Sequence, residues 1–413
     1  MDAHSVHPTC LADPDRPRCQ AGPPSHPFPV EVGGGRRTRQ ILMKERKTGM
    51  VKRASFTAVA LAFALILTGC TSRPDEAGEP ARQASPAASE PVTASEPVTK
   101  PKVVTSGLEA PWSIIFHGDT PLVSERDSGR ILALHDDGTT SEITTVDDVR
   151  AAGEGGLLGL ADHDGYLYAY VTAASENRII RYPLQGDGAQ LAVGRAETVL
   201  DGIPAGTYHN GGRIAFGPDG MLYATTGDNQ NSDNAQDRAS LAGKILRMTP
   251  EGDVPGDNPF DGSHVYSYGH RNPQGIAWAA DGTMYATEFG QDTWDELNII
   301  KPGGNYGWPI VEGICKNRQY IDPVQQWRPA EASPSGMTIL GDDIWVANLR
   351  GQSIRQIPLS APSTSTRHYV GQYGRISDVV VTPKGKLWAA TSNTDGTGRP
   401  NQDDDRILTI PTE

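Results

Sequence analysis

A short motif returns six times after residue 100 of this 413-residue chain, and it constrains the fold more than any other feature. Each copy is a Gly/Asp turn followed by a short strand of apolar, aromatic and small residues. Gly118-Asp119-Thr120-Pro121-Leu122-Val123 and Asp219-Gly220-Met221-Leu222-Tyr223-Ala224 are examples, and the other copies centre on Tyr166, Tyr285, Trp345 and Trp388. The turn glycine supplies a positive φ at little steric cost, and a strand that is almost wholly apolar is one buried on both faces. Most copies lead into a second strand signal, such as Gly243-Lys244-Ile245-Leu246-Arg247-Met248. The copies lie about 45–60 residues apart, which is room for one four-stranded blade and its loops. The expected fold is therefore all-β, a six-bladed β-propeller of four-stranded antiparallel blades. An irregular sandwich is the alternative. No 3.6-residue apolar stripe persists long enough for a helical domain. Closure of the ring should pair strands from the two ends of the domain and so remove exposed edges.

The N-terminal quarter reads differently. Met50-Val51-Lys52-Arg53, an apolar run from Phe56 to Leu67, and Leu67-Thr68-Gly69-Cys70 form a basic, then apolar, then small-residue sequence of export-signal type. The apolar run is too short to span a bilayer. Its ending resembles the lipobox of bacterial lipoproteins, which implies cleavage before Cys70 and lipidation of that thiol. Residues 1–49 are then expected to be a non-native N-terminal extension and 50–69 a lipoprotein signal peptide. Residues 70–101, rich in Ser, Pro, Ala, Glu and Thr, would be the lipidated cysteine and a tether that cannot bury enough apolar surface to order itself. Residues 102–413 would form the propeller. The expected location is extracytoplasmic, with membrane contact through the lipid only. Cys315 then reads as a structural thiol.

Residues 71–413 hold 27 Lys+Arg and 45 Asp+Glu, a formal charge of −18. That balance argues against nucleic acid or anionic lipid as a partner. There is no His-Glu-x-x-His, Cys-x-x-Cys, Walker loop or Gly-x-Ser-x-Gly elbow. The Gly-rich run Gly153–Gly159 lacks dinucleotide spacing.

Chemistry is expected in the loops. His209, in Tyr208-His209-Asn210-Gly211-Gly212-Arg213, can take a proton from a hydroxyl, and its glycine neighbours admit a substrate. The plainer alternative is a histidine that only bonds a loop backbone. Arg271 and Asn272 precede Pro273, which keeps the backbone at Asn272 extended. A guanidinium beside an amide can hold a carbonyl or carboxylate oxygen. Arg350 and Arg375 follow later strands, and three such cations on an acidic protein suit a compact polyanion; singly, each is as readily a surface or inter-blade ion-pair residue. The turn Thr287-Glu288-Phe289-Gly290-Gln291-Asp292 offers carboxylates and free carbonyls to a hard cation.

Four ordered segments carry a resemblance across the domain from about Lys102: Glu154–Gly159, His209–Arg213, Gly269–Gly275 and Gly303–Pro309. Together they resemble the glucose/sorbosone dehydrogenase family, soluble aldose dehydrogenases that use pyrroloquinoline quinone (PQQ). The resemblance implies a six-bladed propeller with PQQ and Ca²⁺ as cofactors. It implies that His209 is the general base and that Arg271 and Asn272 hold the quinone oxygens. It places Arg350 and Arg375 on the cofactor carboxylates, the carbonyls of Gly290 and Gln291 on Ca²⁺, and Glu154 near the sugar. The implied partners are an aldose and an unidentified electron acceptor. Three positions depart from the pattern: Ser377 replaces a second arginine, Tyr208 stands where glucose dehydrogenases have an aspartate before the base, and Gln291 replaces a proline, a change that a backbone carbonyl ligand tolerates. A Ca²⁺-dependent lactonase or esterase and a non-catalytic sugar- or partner-binding lipoprotein are the competing readings.

Overall fold

A computed structural model describes residues 100–412. Within them the chain forms six blades in sequence order, at 111–145, 157–204, 214–268, 273–327, 334–368 and 376–410, and every strand pair within a blade is antiparallel. Each repeat recognised in the sequence supplies the second strand of one blade: Thr120–Glu125, Tyr166–Thr172, Leu222–Thr226, Met284–Glu288, Asp343–Asn348 and Leu387–Thr391. The only α-helix among the described residues is Asp233–Gln236. The last blade is completed from the other end of the domain. Lys102–Ser106 pairs with Arg406–Ile410, with Lys102 opposite Thr409 and Ser106 opposite Arg406.

The apolar strands explain the ring. The buried apolar residues fall into six clusters, one between each pair of neighbouring blades. Leu122, Leu167 and Ala169 meet between the first two blades, and Val123 and Ala390 meet where the last blade closes on the first. A second strand is thus covered on both faces, which is why its sequence does not alternate. Burying each Leu or Val contributes about 1.5–3 kcal/mol.

Nearer the axis, polar groups join the blades. Arg213 of the third blade stacks on Trp112 at 4.0 Å. It also donates to Asp378 Oδ2 of the sixth blade and Ser113 Oγ of the first, each at 3.2 Å, and to the Gln274 carbonyl of the fourth at 3.1 Å. Cys315 is disulfide-bonded, not the free structural thiol expected from sequence. That expectation rested on cleavage before Cys70 and lipidation of its thiol, and the other cysteines of the chain, Cys10, Cys19 and Cys70, lie outside the described residues. The expected extension, signal peptide and lipidated Cys70 lie outside them as well.

Antiparallel order fixes where function can sit. First strands begin, and second strands end, on the same rim of the ring. In five blades the register between these two strands shifts near that rim, as at Pro111/Ser113, Leu157/Leu160, Pro273/Gly275, Pro334/Met337 and Ile376/Asp378. Such bulges turn strand ends and re-aim their side chains.

Candidate active site

His209 lies in the segment leading into the third blade, with its backbone at φ 60°. A non-glycine residue there is strained, and neighbours must hold it. Its N–H donates to Glu154 Oε2 at 2.9 Å, and its carbonyl accepts Asn229 N–H at 3.3 Å. Gly227 lies directly beneath: a Cβ on it would sit 2.0 Å from the His209 carbonyl oxygen and 2.8 Å from Asn272 Oδ1. The imidazole Nδ1 meets Asp228 Oδ1 at 2.7 Å. That carboxylate is 2% exposed and also accepts Gln230 N–H on Oδ1 and Trp308 Nε1–H on Oδ2, each at 2.8 Å. An ionised carboxylate among donors requires the proton on Nδ1, which leaves the Nε2 lone pair available as a base.

Arg271 and Asn272 enter the same rim one blade on. Asn272 is fully buried and its amide is used at both ends. Oδ1 accepts Gly211 N–H at 2.9 Å, and Nδ2 donates to Glu154 Oε2 at 3.1 Å. Glu154 Oε2 therefore ties His209 and Asn272 together. Glu288, at the end of the fourth repeat strand, accepts Arg271 N–H on one oxygen and His270 Nδ1 at 2.8 Å on the other. Arg271 extends over the Trp308 ring, 5.6 Å from its centroid, and Nη1 donates to the Phe289 carbonyl at 3.3 Å. Its Nε is buried with no hydrogen-bond partner among the described residues. A buried guanidinium N–H left unpaired in this way is a place for a ligand acceptor.

A cavity of about 530 Å³ opens beside this group. Glu154, Tyr208, Phe289, Arg350 and Arg375 line it, whereas His209, Arg271 and Asn272 are not among its lining residues. Arg375 is held by Asp395, its Nε 2.7 Å from Oδ2. Arg350 is exposed, with no ion pair among the described residues. Ser377 also lines the cavity, but its hydroxyl donates to the Pro111 carbonyl at 2.7 Å and replaces no charge.

Gly290 and Gln291 continue the loop from Phe289. Gly290 N–H donates to Asp295 and Gln291 N–H to Glu312, whose Oε1 also accepts the N–H groups of Thr293 and Trp294. Among the described residues the carbonyls of Gly290 and Gln291 accept no hydrogen bond. The described residues also contain no His/Cys/Asp/Glu cluster of metal-ligand type, so a cation here would depend on those carbonyls and on a ligand. The surroundings are acidic. Burial raises Asp295 to about 6, and burial with the nearby Glu288 charge raises Glu296 to about 8.

The structure thus gathers His209, Glu154, Asn272, Arg271, Arg350, Arg375, Gly290 and Gln291 on one rim; Cys70 is outside the described residues. Sequence reasoning missed Asp228, read Glu288 only as a carboxylate for a cation, and gave Trp308 no role beyond its place in a motif. Position 208 holds no carboxylate, and the one that meets the His209 imidazole is Asp228, from another loop. A usable signal existed, because Asp228, Gly290 and Arg350 each follow a repeat strand at its rim end.

A cavity lined by three arginines, with the Arg271 guanidinium and the free carbonyls of Gly290 and Gln291 on the same rim outside its lining, can accept an anionic cofactor. Comparison with known proteins points the same way. The family model for glucose/sorbosone dehydrogenase matches residues 108–399. The PQQ-bound aldose sugar dehydrogenase of Streptomyces coelicolor is 47% identical, with a TM-score of 0.72 over 76% of this chain and 98% of that one. An aldose sugar dehydrogenase of Escherichia coli is 28% identical over 71% of this chain and 90% of its own length. Quinoprotein glucose dehydrogenase B of Acinetobacter calcoaceticus is 33% identical over 262 residues, 53% of this chain, and the match spans only 54% of that protein. The chain belongs to the glucose/sorbosone dehydrogenase family.

Proposed function

We propose that this protein is a PQQ- and Ca²⁺-dependent aldose dehydrogenase that oxidises the anomeric hydroxyl of a sugar to a lactone. We further propose that it works outside the cytoplasm, tethered through a lipid on Cys70, and passes electrons to an acceptor not yet identified. The observation that carries the reading is the Asp228–His209 pair, its Nε2 free, beside a cavity lined by Arg350 and Arg375. When bound, PQQ supplies the two-electron sink that no side chain offers. Arg350 and Arg375 would hold its carboxylates and Arg271 a quinone oxygen; Asn272, expected from sequence to share that oxygen, is buried with its amide committed to Gly211 and Glu154 and would act by holding them in place. The carbonyls of Gly290 and Gln291 would hold the Ca²⁺.

The protein's own part is proton removal and orientation. His209 Nε2 takes the anomeric hydroxyl proton as the C–H bond gives up its hydride, and Asp228 stabilises the resulting imidazolium. Glu154 fixes the His209 main chain and meets the cavity where a sugar would enter. Arg271, with its unpaired Nε, would supply positive charge beside the cofactor's reacting oxygens.

Reconstitution tests the reading. Apo-protein with PQQ and Ca²⁺ is expected to reduce a dye when given an aldose. Arg271→Ala should cost more turnover than Arg375→Ala, since only Arg271 would touch the reacting carbonyl. Lactone hydrolysis without PQQ would instead support a hydrolase, and PQQ binding without dye reduction across aldoses a binding protein.

A further inference from the structure

The cavity is lined by six charged side chains: Arg126, Asp127, Glu154, Arg350, Arg375 and Asp395. Three are cationic and three anionic, so their formal charges cancel. Without Arg126 the lining would be net negative, and a ligand with three carboxylates would enter an opposing field. Ser377 cannot supply the missing charge, because it is neutral and its hydroxyl is committed to Pro111.

Arg126 directly follows the first repeat strand, so it sits on the same rim as Asp228, Gly290 and Arg350. Its Nε and Nη2 donate to Asp127 at 2.6 and 3.2 Å, and Nη2 also donates to the Asp395 carbonyl at 3.1 Å. Asp395 meanwhile holds Arg375 through its carboxylate. One residue thus braces two guanidinium groups from different blades against one cavity. Asp127 is 45% exposed and Arg126 12%, so the carboxylate of this two-pronged pair is open to solvent and can be outcompeted only by a ligand that brings its own charge. Nη1 of Arg126 has no hydrogen-bond partner among the described residues, which leaves a donor for a ligand.

We propose that Arg126 is a cofactor-binding residue whose guanidinium takes a carboxylate of PQQ, the charge that Ser377 leaves unmatched. The proposal rests on the functional reading above, and its test separates the two. The dissociation constant of PQQ is measured on apo-protein with Ca²⁺ by the change in PQQ fluorescence, without turnover. Arg126→Gln should weaken binding about ten- to a hundredfold, the range for a lost charge-assisted hydrogen bond. It should also flatten the salt dependence of binding. Arg126→Lys should recover part of the loss. Asp127→Asn, which frees the guanidinium, should tighten binding several-fold; it also decides the matter if Arg126→Gln does not fold. Wild-type binding that stays within twofold in both Arg126→Gln and Asp127→Asn overturns the role of Arg126. Failure of the wild type to bind PQQ overturns the functional reading instead.

Discussion

Asp228→Asn is the substitution that most directly probes the proposed base. The carboxylate is 2% exposed and faces only donors: His209 Nδ1 and Gln230 N–H on Oδ1, and Trp308 Nε1–H on Oδ2. An amide cannot satisfy that set. With its NH₂ toward His209 it opposes Gln230 N–H and drives the imidazole proton to Nε2, the atom that must accept one. With its NH₂ toward Trp308 it opposes the indole N–H and holds His209 through a neutral oxygen only. Either arrangement removes the negative charge that stabilises the imidazolium. A general base contributes about 10²–10⁴ in rate, so kcat for PQQ-dependent dye reduction should fall by that factor, about 3–5 kcal/mol of barrier. The PQQ dissociation constant should change little, because Asp228 does not line the cavity. Residues acting as one unit are not additive, so His209→Ala combined with Asp228→Asn should be no slower than His209→Ala alone. A variant retaining more than a tenth of wild-type kcat, or losses that multiply in the double variant, would refute the orienting role.

Three further outcomes follow from the geometry. Gly227→Ala would push a methyl to 2.0 Å from the His209 carbonyl oxygen; we expect a loss of about 2–4 kcal/mol in chemical denaturation, with weakened PQQ binding. Asp378→Asn leaves Arg213 buried without its counter-charge and should cost about 3–5 kcal/mol, while pairing it with Arg213→Met should restore part of that. Asp295 gives a pH test in the presence of a chelator. Burial raises its carboxyl to about 6 from 3.8, so the folded state holds this proton more tightly than the unfolded chain. Its contribution is full below the unfolded value and is lost as pH rises through about 6, at most about 3 kcal/mol. The stability of the wild type relative to Asp295→Asn should therefore fall between pH 4 and 6.5; a flat difference would count against it.

Much of this molecule was readable before any coordinates. Six repeats mark six second strands because a strand covered by blades on both sides must be apolar throughout, and that demand is local. Turn glycines are local too, since φ > 0 is a property of one residue. His209, Arg271 and Asn272 stood out for the same reason, sitting in turns between strands. What the sequence withheld is partnership. Glu154 meets His209 across 55 positions and Asn272 across 118, and Arg126 meets Asp395 across 269. Spacing along the chain holds no trace of these contacts. They exist only because the closed ring brings the strand ends of all six blades to one rim, where the distance between two loops depends on blade geometry and not on the residues between them. The sequence determined the blades and the kinds of group at their ends; the tertiary structure decided that Asp228, and not the residue at position 208, would meet the His209 imidazole, and that Arg126 would share a cavity with Arg375.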